Sequence, residues 1–290
     1  MAATSSRPRI GVIGGSGLQR LLADGEGEEV DVATPFGPTS APITVGELDG
    51  TPVAFVARHG RGHSVAPHEI PAKANVWAFA SLGVRAIVSS TAVGGLRPDL
   101  PPGSLVVPDQ LIDLTRIRDE SGTGARRDSY FGGGVVEHLT FADPFTPELV
   151  ALAVDVLARI GEPVVSPATT VVIDGPRFST RAESRWYRSL GGDIVNMTQY
   201  PESALAAELG LGYVNLSFVT DTDAGVASAV EDEDAVDASR VFERLSAAQP
   251  RIVAALAAIV AAMPARLAVP TGIAQESIDA VLALDARPSA

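Results

Sequence analysis

The chain has 290 residues, 46% hydrophobic and 5% aromatic, which is enough to bury a large core in one α/β domain. Its net charge of −13 argues against a nucleic-acid or anionic-membrane surface. The absence of cysteine excludes disulfides, thiolate metal sites and a cysteine nucleophile, and fits a reducing, cytoplasmic location. The N-terminal apolar run is too short for a secretory signal, and the longest predicted apolar helix, Ile252 to Met263, is too short for a bilayer.

A glycine-rich loop follows the first predicted strand, which runs from Arg9 to Ile13. The segment Gly14 to Gly17 lets backbone N–H groups turn inward as an anion-binding nest, and Ser16 adds a hydroxyl donor. A dinucleotide site fits badly, because the third glycine of its motif would fall at Arg20, and the P-loop lysine is missing. Alone, the loop is equally compatible with a plain strand-to-helix turn.

Basic residues gather at the end of a predicted hairpin. Strands from Pro42 to Leu48 and from Thr51 to Ala57 flank an Asp-Gly turn and lead into Arg58 and His59. Arginine offers a rigid fork and histidine a second N–H, a combination that suits phosphate. A metal site is disfavoured, because no carboxylate follows at suitable spacing and the neighbouring glycines oppose a helix. We therefore interpret the cluster as phosphate donors, with a solvated strand end as the plainer alternative.

Strands and helices alternate through the middle of the chain. A strand from Ala86 to Ser90 is predicted to open into a turn at Thr91 and Ala92, which could also offer donors to an anion. Thr180 and Glu183 form a capping box, so Glu183 has a structural role. The other predicted strands are Ser104 to Val107, Thr169 to Ile173 and Asp193 to Val195, and the helices are Pro71 to Leu82, Pro147 to Ile160 and Glu202 to Leu209. This order predicts a single α/β domain with a central mixed sheet and helices on both faces.

An apolar strand beginning near Tyr213 ends in two acidic residues, Asp221 and Asp223. Because residues two apart on a strand face the same way, both carboxylates can point into one pocket. The carboxyl end of a strand is where α/β sheets bind ligands. Taken alone, the pair is also compatible with a turn or a helix cap.

Six motifs occur in the order GGSGL, ARHGRGH, STAVGGL, GPRFSTRAES, NMT and TDTDAG, over about Ile10 to Arg240. In this order they resemble the 5'-methylthioadenosine phosphorylases, a branch of the trimeric purine nucleoside phosphorylases. The resemblance implies one domain over residues 1–290, a homotrimer with helices from about residue 250 at the interface, and no metal or organic cofactor. It implies that inorganic phosphate, as co-substrate, cleaves the N-glycosidic bond to give adenine and 5-methylthioribose 1-phosphate for methionine and purine salvage.

The resemblance also implies roles for individual residues. Phe178 would stack on the purine, Met197 would lie under the ribose, and one of the two aspartates would donate a proton to N7, which requires a raised pKa. His138 would reach the 5' group from a neighbouring chain. The implied phosphate ligands are Ser16, Arg58, His59, Thr91, Ala92 and Thr198, and the other nucleoside contacts are Ser179, Asn196, Asp221, Asp223, Ala238 and Val241, the last two on a helix starting near Asp234.

The chain departs from the resembling family at several positions. Asp174 stands where relatives usually have glutamate, and the segment after Asp223 lacks a tryptophan that some relatives have. Ala238 replaces a frequent valine, so we expect a wider range of 5'-substituted 5'-deoxyadenosines as substrates.

Two other functions remain possible from the sequence. A 6-oxopurine nucleoside phosphorylase is opposed by the acidic pair, because a 6-oxo group requires a donor. A non-catalytic nucleoside-binding protein is opposed by the set of phosphate donors, which such a protein would not need.

Overall fold

The computed structural model describes residues 9–18, 21–22, 27–116, 128–132, 134–224, 226, 236–264, 267, 269 and 271–285. Within these residues, eleven strands form one mixed sheet with six α-helices around it. The strands are β1 (Ile10–Gly14), β2 (Glu28–Val30), β3 (Ile43–Leu48), β4 (Thr51–Ala57), β5 (Ala86–Gly95), β6 (Leu105–Val106), β7 (Gln110–Asp113), β8 (Val164–Val165), β9 (Thr169–Val172), β10 (Ile194–Asn196) and β11 (Gly212–Thr222). The helices are α1 (Ala72–Ser81), α2 (Pro147–Arg159), α3 (Arg181–Ser189), α4 (Gln199–Glu208), α5 (Ala238–Ala261) and α6 (Gln275–Leu282).

Strand β5 is the centre of the sheet. It pairs in parallel with β1 and β11 and antiparallel with β10. Nearly every residue of β5 and β11 is buried, whichever way its side chain points. Because side chains alternate between the faces of a strand, both faces of the sheet must be covered. The predicted mixed α/β sheet with cover on both faces is therefore confirmed.

Local sequence signals are confirmed at two turns. Asp49 and Gly50 both have positive φ, 48° and 78°, as a two-residue hairpin turn of this type requires. Thr180 accepts a hydrogen bond from the backbone of Glu183, and the Glu183 side chain reaches back to the cap. The capping box therefore forms as predicted and begins helix α3.

The predicted turn that begins at Thr91 is wrong. Strand β5 continues through this segment to Gly95, because β11 stays paired beside it as far as Thr222. The register shifts between Val219 and Asp221, so β11 carries an irregularity just before its acidic end.

Helix α5 is longer than predicted. The predicted helix from Ile252 to Met263 is only its C-terminal half, and Asp234, the expected start, lies outside the described residues. Within the described residues, this helix is long and apolar enough to cross a membrane by length and composition. Its buried side chains recur along one side, at Val241, Leu245, Ile252, Leu256, Ile259 and Val260. That spacing is typical of a helix packed on a protein core.

Candidate active site

One cavity of about 270 Å³ gathers nearly all the site residues predicted from the sequence. Its walls come from β5, β10 and β11, from the loops after β1, β4 and β9, and from the start of α5. The exception is His138, which is exposed and does not line this cavity. The predicted residues that do line it are Ser16, Arg58, His59, Thr91, Ala92, Phe178, Ser179, Asn196, Met197, Thr198, Asp221, Asp223, Ala238 and Val241.

Sequence reasoning missed several lining residues, including His63, Thr220 and Phe242. Signals for all three were present, since His63 ends the ARHGRGH motif and the other two adjoin predicted residues. The rings of His59 and His63 meet edge to face with centroids 4.3 Å apart, and His63 meets Phe242 at 5.3 Å. This row of rings connects the basic loop with helix α5.

The glycine loop after β1 packs tightly against Arg58. A Cβ on Gly15 would lie 2.3 Å from the Ser90 carbonyl oxygen and 2.8 Å from Arg58 Nη1. Those distances leave no room for a side chain. The glycine is therefore required by close packing and lets Ser16 follow directly at the wall of the cavity.

Arg58 is fully buried and paired. Its Nε and Nη2 donate to the two carboxylate oxygens of Glu202 at 2.5 and 3.0 Å, and Nη1 donates to the Ser90 carbonyl at 2.8 Å. Burial acts to lower the pKa of Arg58, but the Glu202 carboxylate outweighs it and the pKa is raised. The guanidinium fork is therefore already paired within the protein before any anion binds. With three of about five N–H donors engaged, about two remain.

His59 already uses one ring nitrogen. Nδ1 lies 3.0 Å from the Val65 carbonyl, which can only accept, so Nδ1 carries a proton. Burial, and then the charge of Arg58, lowers the pKa of His59 to about 4. The ring is therefore neutral near pH 7, and its Nε2 is a lone-pair acceptor. In this state the predicted second N–H donor is absent at Nε2, and Nε2 would instead accept a hydrogen bond from a P–OH group.

Asn196 organises the chain after β10. Its Oδ1 accepts from the backbone N–H groups of Thr198 and Gln199, both at 2.7 Å, and so caps the start of α4. Its Nδ2 donates to the Ala92 carbonyl at 3.3 Å. The side chain thus fixes Met197 and Thr198 at the wall of the cavity. Asn196, which was predicted as a nucleoside contact, therefore also has a structural role.

The acidic pair lies at the end of β11. Asp223 is buried and its Oδ2 accepts a hydrogen bond from the Ser184 hydroxyl, while Asp221 Oδ2 accepts from Thr220 at 2.7 Å. Burial raises the pKa of Asp221 to about 6, with the Thr220 hydrogen bond opposing the rise and Asp223 adding to it. Burial also raises the pKa of Asp223. One end of the cavity therefore holds two carboxyl groups with raised pKa values, of which Asp221, at about 6, can act as an acid.

Apolar side chains complete the walls. Phe178 is 38% exposed at the cavity, and Ala238 and Val241 lie on the first turns of α5. A Cβ on Gly175, which has φ of 63°, would lie 2.3 Å from Met197 Sδ. Only glycine therefore leaves room for Met197 here.

A second cavity of about 650 Å³ adjoins the first. Both are lined by Pro67, Pro176, Met197 and Thr198. Asp174, the residue that departs from the family pattern, lines the second cavity and accepts the backbone N–H of Arg116 at 3.0 Å. Its carboxylate therefore serves the loop after β7 and does not line the first cavity.

The fold defines an α/β protein, and its first cavity combines acidic and apolar side chains with a group of anion donors. The Phosphorylase superfamily matches residues 9–264, and the chain belongs to this family. It is 51% identical over 238 residues to the S-methyl-5'-thioadenosine phosphorylase of Mycolicibacterium smegmatis, covering 81% of this chain and 85% of the relative.

Two further relatives cover more of the chain. The purine nucleoside phosphorylase of Streptomyces coelicolor is 44% identical over 272 residues, which is 91% of this chain and 92% of the relative. The structure of methylthioadenosine phosphorylase from Schistosoma mansoni in complex with adenine matches with a TM-score of 0.81 and 30% identity, covering 95% of this chain and 97% of that one.

Proposed function

We propose that this protein cleaves 5'-methylthioadenosine with inorganic phosphate, giving adenine and 5-methylthioribose 1-phosphate for methionine and purine salvage. The observation that carries the proposal is the polarity of a single cavity. Anion donors lie along one part of it, a carboxyl group with a pKa of about 6 lies in another, and an apolar wall on α5 lies beside them. The relatives named as methylthioadenosine phosphorylases support the same substrate.

The chemistry requires charge stabilisation and positioning. A phosphate oxygen forms a bond to C1' as the bond from C1' to N9 breaks, and the electron pair leaves with the base. Asp221 donates its proton to N7, because its raised pKa of about 6 keeps a fraction of the group protonated near neutral pH and it is less firmly engaged than Asp223. Asp223, held by Ser184, accepts from the exocyclic amine. These two assignments extend the sequence interpretation, which left the proton donor open.

The remaining residues bind and orient the two substrates. Phe178 stacks on the purine, Met197 lies under the ribose, and Ser179 and Asn196 line the same region. The phosphate accepts hydrogen bonds from Ser16, Arg58, Thr198 and backbone donors near Ala92, and its P–OH group donates a hydrogen bond to His59. Thr91 lines the same part of the cavity, but its hydroxyl proton is engaged by Asn215. No metal or organic cofactor takes part in the proposed reaction. We also propose a cytoplasmic location, which rests on the absence of cysteine.

A homotrimer would complete the pocket. His138 is exposed in the single chain and stands apart from the cavity. In the proposed trimer it reaches the 5' group of the nucleoside bound by a neighbouring chain, and helices after about residue 250 contribute to the interface. Light scattering gives the assembly. His138→Ala should raise the KM for the nucleoside, while Val136→Ala, at an exposed position nearby, should leave it unchanged.

A 6-oxopurine nucleoside phosphorylase is the second candidate, favoured by the named activity of the Streptomyces coelicolor relative. The acidic pair opposes it, because a carboxylate can accept a hydrogen bond from a 6-amino group, whereas a 6-oxo group requires a donor. A coupled assay of methylthioadenosine, adenosine and inosine, each with and without phosphate, distinguishes the candidates. Phosphate-dependent release of adenine from methylthioadenosine is expected. Preferred cleavage of inosine would favour the second candidate, and binding without cleavage would indicate a non-catalytic protein.

A further inference from the structure

Arg58 and Thr91, two residues that line the cavity, are joined to each other by buried polar side chains. We name these side chains the buried polar network. None of them lines the first cavity, and each is at most 2% exposed. The network consists of Ser89, Gln199, Glu202, Tyr213, Asn215 and Ser217.

A continuous path of hydrogen bonds runs through the network. From the ion pair with Arg58, Glu202 Oε2 accepts from the Tyr213 hydroxyl at 2.9 Å, and that hydroxyl accepts from Ser89 at 2.8 Å. Asn215 Nδ2 donates to Ser89 at 2.6 Å, and Asn215 Oδ1 accepts from Thr91 at 3.0 Å. Two residues that line the cavity, Arg58 and Thr91, are therefore fixed by one set of contacts.

Glu202 determines the plane of the Arg58 guanidinium. Its two oxygens occupy one edge of the group, so the free N–H donors have a defined direction. The Tyr213 hydroxyl holds the carboxylate in turn. A buried guanidinium without this partner would be an uncompensated charge and would be free to change rotamer.

Gln199 and Asn215 hold the Thr91 side chain by hydrogen bonds. The Thr91 hydroxyl has one proton, which it donates to Asn215, and it accepts from Gln199 Nε2 at 3.1 Å. Gln199 Nε2 also lies 3.0 Å from Asn215 Oδ1 and 3.0 Å from Ser217 Oγ. The one proton of the Thr91 hydroxyl is therefore engaged within the network and is not offered to an anion in the cavity.

We propose that the buried polar network positions Arg58 as an anion donor, and that Glu202 is the positioning residue for Arg58. The inference rests on the proposed function, since it takes phosphate as the anion. A core needs no such network for stability alone, because apolar residues of similar volume stabilise a fold equally well or better. The network ends at two residues that line the cavity, which is the arrangement that a positioning role requires.

The test is direct binding of inorganic phosphate, measured by calorimetry without turnover. Glu202→Gln should weaken phosphate binding by at least about tenfold and raise the KM for phosphate similarly, since the fork loses one acceptor. Binding of adenine, which reports the other end of the cavity, should change by less than about threefold. An unchanged or tighter phosphate affinity in folded Glu202→Gln would overturn the proposal.

Glu208 offers a matched control on the same helix. It is also buried, and it accepts from the Ser129 hydroxyl at 2.6 Å and from the Tyr130 backbone at 2.7 Å, away from both cavities. Glu208→Gln should lower thermal stability and leave phosphate affinity unchanged. If Glu208→Gln weakens phosphate binding as much as Glu202→Gln does, the effect is general loosening and the proposal fails.

Tyr213→Phe keeps the test decisive if Glu202→Gln does not fold. This variant removes only the hydroxyl that holds Glu202, and it should weaken phosphate binding by about two- to fivefold, corresponding to one neutral hydrogen bond. An unchanged phosphate affinity in Tyr213→Phe would overturn the proposal. The proposed function fails separately, if the unaltered protein binds phosphate and cleaves no nucleoside.

Discussion

The hydroxyl of Thr220 donates a 2.7 Å hydrogen bond to Oδ2 of Asp221, the next residue in the chain. The same hydroxyl lies 3.3 Å from the Val93 carbonyl oxygen, so it has a second acceptor when the carboxyl group is protonated. Burial raises the pKa of Asp221 to about 6 and this hydrogen bond limits the rise. Thr220 therefore adjusts the proton affinity of the proposed acid.

Thr220→Val should move the pH dependence of turnover. A carboxylate that loses a donor holds its proton more tightly, so the pKa of Asp221 rises above its present value of about 6. Activity needs the protonated acid, so the alkaline limb of the kcat profile should move to higher pH by roughly one unit. Thr222→Val is the control, because Thr222 does not line the cavity. If the alkaline limb of the kcat profile does not move, Thr220 does not adjust the pKa of Asp221.

Asp221→Asn should stabilise the fold at alkaline pH while it abolishes most activity. The folded pKa of Asp221 is raised to about 6, so the ionised group is less favourable in the folded than in the unfolded protein. That cost is present above about pH 6 and disappears as pH falls toward the unfolded pKa near 4. Urea unfolding should show a gain of about 1 to 3 kcal/mol near pH 8 that shrinks toward pH 4. A gain independent of pH would contradict the raised pKa.

Arg58→Ala should lose phosphate binding and stability together. It leaves the Glu202 carboxylate buried without its partner, a change that costs about 3 to 5 kcal/mol of unfolding free energy. The double variant Arg58→Leu, Glu202→Leu should recover much of that loss, because an apolar pair can replace a buried ion pair. Calorimetry should show weak phosphate binding in both variants. Intact binding in the double variant would mean that Arg58 has only a structural role.

Ala238→Val should narrow the range of 5' substituents. Ala238 is the first residue of α5 and lines the cavity beside Val241. The added methyl groups fill space worth about 1 to 2 kcal/mol of apolar contact. The ratio of kcat/KM for methylthioadenosine and a 5'-halo analogue should change by about tenfold, with adenosine as the reference substrate. Equal ratios in the two proteins would exclude this wall as the specificity element.

The cavity lining was predicted from the resemblance of six ordered motifs to a known family, and the turns were predicted from local signals. The hairpin turn and the Thr180 capping box each depend on a few adjacent residues. The path of β5 was mispredicted because small residues favour a turn, whereas pairing with β11 keeps them extended. The apolar helix predicted from Ile252 to Met263 and the helix predicted to start near Asp234 are one element, α5, because the helix continues through Pro250.

The network behind the cavity could not be predicted. Glu202 lies 144 positions from Arg58 and carried only the signal of a helix start. Tyr213 and Asn215 occupied an apolar strand and looked like ordinary core positions. Contacts between residues so distant in sequence are set by sheet topology, which the order of elements constrains only partly.

The anion end of the cavity has little net charge. Among its described residues, the Arg58 charge is matched by Glu202, and the lowered pKa values of His59 and His63 keep both rings neutral near pH 7. A bound anion would then be held by directed donors at short range. The KM for phosphate should therefore change by less than about twofold between roughly 0.05 and 0.5 M KCl, because salt screens charges more than hydrogen bonds. Phosphate binding would then follow the phosphate concentration and would hardly depend on ionic strength.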